Sequence, residues 1–156
     1  LGRDKEARAL IDSVAAEAKV DSNLVPSVTR MRGIYYWVRK DYEAAIEQFK
    51  YLDTWRSSFT TAFELGRTLL DAGNYAEAAK LFERVRNSFD DVRFQEAAVY
   101  NGLFYYYLGR AYEGLGNTDQ AIKDYTVVAT IWKNAYPEIK EFQDGKARLA
   151  RLKQKA

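Results

Sequence analysis

No cysteine and no histidine occur among the 156 residues. Without cysteine there are no disulfides and no thiolate chemistry, although this does not fix the compartment. Without histidine the chain loses the commonest general base and the commonest metal ligand. Proline is almost missing, with two residues, so little interrupts helices. No apolar run approaches the roughly 20 residues that span a bilayer as a helix. A net charge of +2 gives no argument for nucleic acid. What the chain does have is apolar residue, at 47%, and aromatic residue, at 15%.

The apolar residues are organised by a repeat. A Gly, an Ala twelve residues later and an aromatic four residues after that recur as Gly33, Ala45, Phe49, as Gly66, Ala78, Phe82 and as Gly109, Ala121, Tyr125. Ala7 and Ile11 supply a partial copy without the Gly. A Gly inside a helix costs about 1 kcal/mol relative to Ala, so its recurrence implies that something needs the missing side chain. The expected reason is that Gly lets the second helix of a pair approach closely at Ala45, Ala78 and Ala121. Phe49, Phe82 and Tyr125 then fill the gap to the next helix. Tyr36, Leu69 and Tyr112, three residues after each Gly, share the buried face.

Apolar periodicity gives helices over about 3–19, 24–39, 42–55, 58–72, 75–87, 93–115, 118–133 and 138–155. Gly73 with Asn74 and Gly116 with Asn117 read as left-handed helix ends followed by caps. Lys40 stands where these turns have Gly. From Gly33 to Gly66 is 33 residues, but from Gly66 to Gly109 is 43. The inserted stretch, Asp91 to Tyr100, contains no Gly or Pro and is expected to add turns to the following helix.

These residues resemble the tetratricopeptide repeat, whose period is about 34. The resemblance implies an all-α, right-handed superhelical solenoid of antiparallel helix pairs with a C-terminal capping helix. One domain over 1–156 is expected, comprising a trailing half repeat at 1–21, repeats at 26–58, 59–92 and 93–135, and a capping helix at 137–155. The first helix carries Ala7, Ile11 and Val14 where a second helix carries Ala78, Phe82 and Val85. With no initial Met, a fragment of a longer protein is expected. The compartment stays open, with cytoplasm the default and periplasm the alternative. The run Asp124 to Ile139, with Trp132, Lys133 and Pro137, is similar to the closing segment of repeat arms in bacterial multidomain signalling proteins built on a serine/threonine kinase or a winged-helix regulator.

The family resemblance implies a protein-interaction scaffold, not an enzyme, with no cofactor and no metal. Its first helices line a concave groove, and register from each Gly gives the partner-facing residues. These are Arg30, Ile34 and Trp37, then Phe63, Glu64, Arg67 and Leu70, then Tyr106, Tyr107, Arg110 and Glu113. Two guanidiniums with flanking aromatics suit a protein or peptide ligand with acidic residues. The alternative has each Arg paired with Glu64 or Glu113 and binding nothing. Chaperone-tail clamping of the co-chaperone kind does not fit, because Ile34, Glu64 and Leu103 occupy its polar and cationic places. Asp90 with Asp91, and Ser57, Ser58, Thr60 and Thr61, read as turn and helix-start residues. The basic 138–156 segment, six Lys/Arg against three acids, reads as a wet capping face. A second functional reading is assembly, with residues 3–19 pairing with another copy as a homo-oligomer.

Overall fold

The computed structural model describes residues 2–55, 58–86, 97–134 and 139–154. Eight α-helices are present among them: α1 (Gly2–Glu17), α2 (Val25–Val38), α3 (Tyr42–Trp55), α4 (Phe59–Asp71), α5 (Tyr75–Arg86), α6 (Ala97–Gly114), α7 (Thr118–Ile131) and α8 (Lys140–Lys153). A short 3-10 turn, Ser22–Leu24, leads into α2. No strand occurs among the described residues, and the fold is all-α.

Local chemistry explains where the helices start. Asp21 accepts the Asn23 amide at 3.0 Å ahead of the 3-10 turn. Pro26 sits in the first turn of α2, where a missing N–H costs nothing. The Ser58 hydroxyl accepts the Thr61 amide at 3.2 Å before α4, and Asn117 accepts that of Gln120 at 3.2 Å before α7. Ser58 and Thr61 are therefore helix-start residues, while Ser57 lies outside the described residues.

The helices end by one recurring device. Gly73 and Gly116 adopt φ of 79° and 74°, and the following amides reach back five residues, Asn74 to Leu69 at 2.8 Å and Asn117 to Tyr112 at 2.9 Å. Lys40 takes the same left-handed conformation at φ 63°, with the Asp41 amide on the Tyr36 carbonyl at 3.0 Å. The first turn thus keeps the geometry of the other two with a side chain in the Gly position.

The chain divides into two compact units, Leu1–Thr68 and Leu69–Ala156, with the boundary inside α4. In the first unit α1 packs on α2 and α2 on α3. Its core includes Ile11, Val28, Ala45, Phe49 and Leu52. In the second unit α5 packs on α6, α6 on α7, and α8 on both α6 and α7. Ala78, Phe82, Leu108, Ala121, Tyr125 and Val128 are fully enclosed there.

The signature glycines act differently from the expectation. A Cβ on Gly33 would fall 2.7 Å from the Phe49 ring, and one on Gly109 would fall 2.8 Å from that of Tyr125. At these two positions the missing side chain makes room for the aromatic of the same pair. Ala45 and Ala121 are fully enclosed, at 0% exposure. Of the stretch expected to add turns before the third pair, residues 91–96 lie outside the described residues, and 97–100 are helical at the start of α6.

Candidate functional site

The first unit contains a cleft of about 190 Å³ formed by α2, α3 and α4 and lined by Ile34, Trp37, Phe49, Glu64, Arg67 and Thr68. Residues 34 and 37 lie one turn apart on α2, and 64, 67 and 68 lie one turn apart on α4. Each set therefore presents a single helix face. Gly33 matters because it lets the Phe49 ring reach across and floor the cleft. Thr68 is buried with its hydroxyl donated to the Glu64 carbonyl at 2.8 Å, so it contributes its methyl to the wall.

Charge in this cleft is arranged as a pair and a stack. The Arg30 Nε donates to Glu64 Oε2 at 3.1 Å, and its Nη2 reaches the Thr61 hydroxyl at 3.5 Å. Burial pushes the Glu64 carboxyl above its ordinary range, opposed by Arg30 and then Arg67. The Arg67 guanidinium lies over the Trp37 ring at 5.0 Å. Ile34 is 43% exposed at the rim. Phe63, on the same helix as Glu64 and Arg67, is half-buried.

The remaining groove residues of the register argument belong to the second unit, and their fate is mixed. Leu70, Tyr106 and Tyr107 are buried, at 2%, 6% and 5% exposure, which corrects the expectation that they face a ligand. For the two tyrosines the cause is α8. The Tyr106 hydroxyl donates to Asp144 at 2.7 Å, and that of Tyr107 to Glu141 at 3.5 Å. The Tyr107 ring also stacks on Phe82 with centroids 6.2 Å apart. Burial, and then the bond to Asp144, raises the Tyr106 hydroxyl far above its ordinary value.

Glu113 is likewise engaged. It accepts from Arg148 at 3.0 Å, from the Tyr125 hydroxyl at 2.9 Å and from Arg151. Burial opposes its ionisation, but the bonds from Arg148 and Tyr125 outweigh it and hold the carboxyl below its usual range. Arg110 pairs with Asp71 at 3.6 Å and lies 6.0 Å from the Tyr106 and Tyr107 ring centres. Arg30 holds Glu64, whose charge Arg67 also favours, while Arg110 pairs with Asp71 and Arg148 and Arg151 hold Glu113.

Asp124 escaped the sequence reading. It is 2% exposed, its carboxylate accepts from Gln120 Nε2 at 3.3 Å, and burial pushes its pKa up to about 6. A signal was available, because Asp124 occupies the slot three residues after the signature Ala in which the second repeat has Leu81.

Among the described residues no helix is long and apolar enough to cross a membrane. No curated protein matches the chain. Solved structures similar in fold include two of MamA. One is "MamA RS-1 ArsTM double mutant", at TM-score 0.63 and 17% identity over 98% of this chain and 88% of that one. The other is "MamA 41-end from Desulfovibrio magneticus RS-1", at TM-score 0.61 and 17% identity over 97% of this chain and 93% of that one. The closing segment compared with bacterial signalling proteins includes Pro137, which lies outside the described residues. The tetratricopeptide repeat profile matches residues 30–92 and 63–136. More than half of the sequence is covered, so the chain belongs to the tetratricopeptide-repeat family, a protein-interaction scaffold.

Proposed function

We propose that the α2–α3–α4 cleft of the first unit holds a partner segment, and that the protein works by binding, not by catalysis. The observation that carries this reading is the Arg67 guanidinium stacked on Trp37 above an apolar floor made by Phe49, with Ile34 at the rim. Stacking fixes the plane of the Arg67 guanidinium, and with it the directions in which its N–H groups point. The cleft takes one apolar side chain of the partner, and Arg67 takes an acidic group next to it. Glu64, paired with Arg30, disfavours a second carboxylate at its own end of the cleft and so sets the direction in which the segment lies.

The test is selection of binders from a random peptide library on the immobilised chain, followed by titration of the winners. Peptides with an acidic residue beside a large apolar one should dominate. Arg67→Glu should weaken them by about 2 kcal/mol or more if the pair is desolvated. Trp37→Ala should act alike through loss of the stack. Binders that ignore both substitutions would remove the cleft from the function.

A further inference from the structure

The second unit shows what covers the junction of a second helix and the first helix that follows it. There α6 runs antiparallel to α7, with Gly109 over Tyr125, and reaches α8 through Tyr106 on Asp144 and Glu113 on Arg148. In the first unit α1 and α2 form the same kind of junction, since Ala7 and Ile11 stand in the register of Ala121 and Tyr125. Here the junction is open. Leu10 is 58% exposed, Ile34 43% and Val38 67%, around a groove of about 460 Å³.

The exposed side of α1 has a particular order. Arg3, Ala7, Leu10, Val14 and Glu17 fall at alternating steps of four and three, which is one continuous helix stripe. A cation stands at its start, an acid at its end, and three apolar residues lie between. Neighbouring charges are already engaged away from the stripe. Asp4 accepts from Arg39 at 2.5 Å and from the Tyr35 hydroxyl at 2.9 Å, and Arg8 donates to that hydroxyl at 2.7 Å.

We propose that the occupant of this groove is α1 of a second copy, in a two-fold symmetric, antiparallel pair. A two-fold axis at Leu10 sets Leu10 against its own copy, Ala7 against Val14 of the partner copy, and Arg3 against Glu17 of the partner copy. The stripe is thereby self-complementary in both shape and charge, as an isologous interface must be. The direction agrees with the internal example, because α6 is also antiparallel to the second helix it covers. Other helices of the chain fit less well. The free face of α8 carries Lys140, Lys146 and Lys153, which would meet Arg3 and Arg39 with like charge. A helix of 16 residues is about 24 Å long. Such a contact is smaller than the ~800 Å² per partner of stable complexes, so the dimer is weak and reversible.

Sedimentation of the whole chain from about 1 μM to about 1 mM, the range of small interfaces, reads the association. Monomer throughout would overturn the proposal. Leu10→Glu, at an exposed position that circular dichroism should show still folds, is expected to weaken association at least about tenfold. Arg3→Glu and Glu17→Arg should each weaken it several-fold, on the order of tenfold, because the symmetry doubles every like-charge contact. An equimolar mixture of those two variants should associate as the parent does, since each supplies the charge the other lacks. Failure of the mixture to recover, or indifference to Leu10→Glu, would assign association to another surface. Since the chain contains no Cys, Leu10→Cys introduces a single thiol. Mild oxidation should link it to its own copy, while Glu17→Cys, about 20 Å from its copy in this pairing, should not link. The reverse pattern would exclude the antiparallel arrangement.

Discussion

The last helix pair of the second unit and the first helix pair of the first unit solve one problem in opposite ways. At α7 and α8, Phe142 and Leu152 are buried, Trp132 packs edge-on against Phe142 with centroids 6.2 Å apart, and Glu113 gathers Arg148, Arg151 and Tyr125. The outer face of α8 is charged and wet, so the helix terminates the packing. At α1, Ile11 is the one buried apolar side chain, and Leu10 points to solvent. The apolar residues of the first helix are thus split, with Ile11 inward, Ala7 and Val14 at the margin and Leu10 outward. A terminal helix closes the packing where its outer face is polar; the outer side of α1 instead keeps an exposed apolar side chain, Leu10.

The largest effect separates the two pairs directly. Tyr125→Ala removes a fully buried ring beneath Gly109 along with a bond to Glu113, and should cost about 3–5 kcal/mol. Ile11→Ala, in the equivalent register of α1, should cost about 2 kcal/mol or less, because its surroundings are only half closed. Denaturant unfolding of both variants checks the contrast. Equal losses would mean that α1 is as firmly held as α7.

Next in size is a pair of glycines. A Cβ on Gly102 would overlap the Trp132 ring, whereas one on Gly145 would sit 3.5 Å from Tyr106 and Val128, an ordinary contact. Gly102→Ala should therefore destabilise by about 1–3 kcal/mol through overpacking. Gly145→Ala should be neutral or stabilise by up to about 1 kcal/mol, since Ala is the better helix former. Thermal melts of the two variants should move in opposite directions or differ by several degrees.

Helix positions and ends were legible because they rest on local chemistry. The pattern placed α3 at 42–55, where it is found, and marked Gly73 and Gly116 as left-handed ends. In the first-unit cleft Ile34, Trp37, Glu64 and Arg67 were legible only through the family resemblance, which puts first helices along a groove and lets register name the residues. Tyr106 and Tyr107 were not, because the same register becomes interior once another helix lies over it. The acids that hold them, Glu141 and Asp144, are three residues apart on α8 and read in isolation as a solvated face. Asp124 was missed for a similar reason, since a buried carboxylate in an apolar slot looks like any other charge on an amphipathic helix.

Asp124 gives the third prediction, a titration that tells the inner face of α7 from the ion pairs at α8. Its raised pKa, about 6 against an ordinary 3.8, means that the folded state holds its proton more tightly than the unfolded chain does. Stability from this group is complete below pH 4 and is lost as pH rises through about 6. Burial raises the pKa, joined by the like charge of Glu83, while Gln120, Arg86 and Lys123 favour the charged form without overcoming burial. Asp124→Asn should stabilise the protein by roughly 1–3 kcal/mol at pH 7 and change nothing below pH 4. Glu113 and Asp144, both held low, titrate with the opposite sign, and their contributions fade as pH falls through their folded-state values. A constant advantage for Asp124→Asn at every pH would show that packing, not ionisation, is its cause.

The smallest expected effect lies at the turn between α2 and α3. Lys40 adopts φ 63°, the conformation that Gly73 and Gly116 adopt without steric cost. A left-handed residue with a Cβ costs roughly 1–2 kcal/mol. Replacing it with Gly relieves this but gives the unfolded chain more freedom to lose on folding. Lys40→Gly should therefore stabilise by less than about 1 kcal/mol, with its gain confined to the first unit. Hydrogen exchange locates the gain. The Asp41 amide, bonded to the Tyr36 carbonyl at 3.0 Å, should exchange more slowly, while the matching Asn117 amide in the second unit should not change. Faster exchange at Asp41 would mean that Lys40 stabilises the turn through its side chain, and that the first turn is built on a different balance from the two glycine turns.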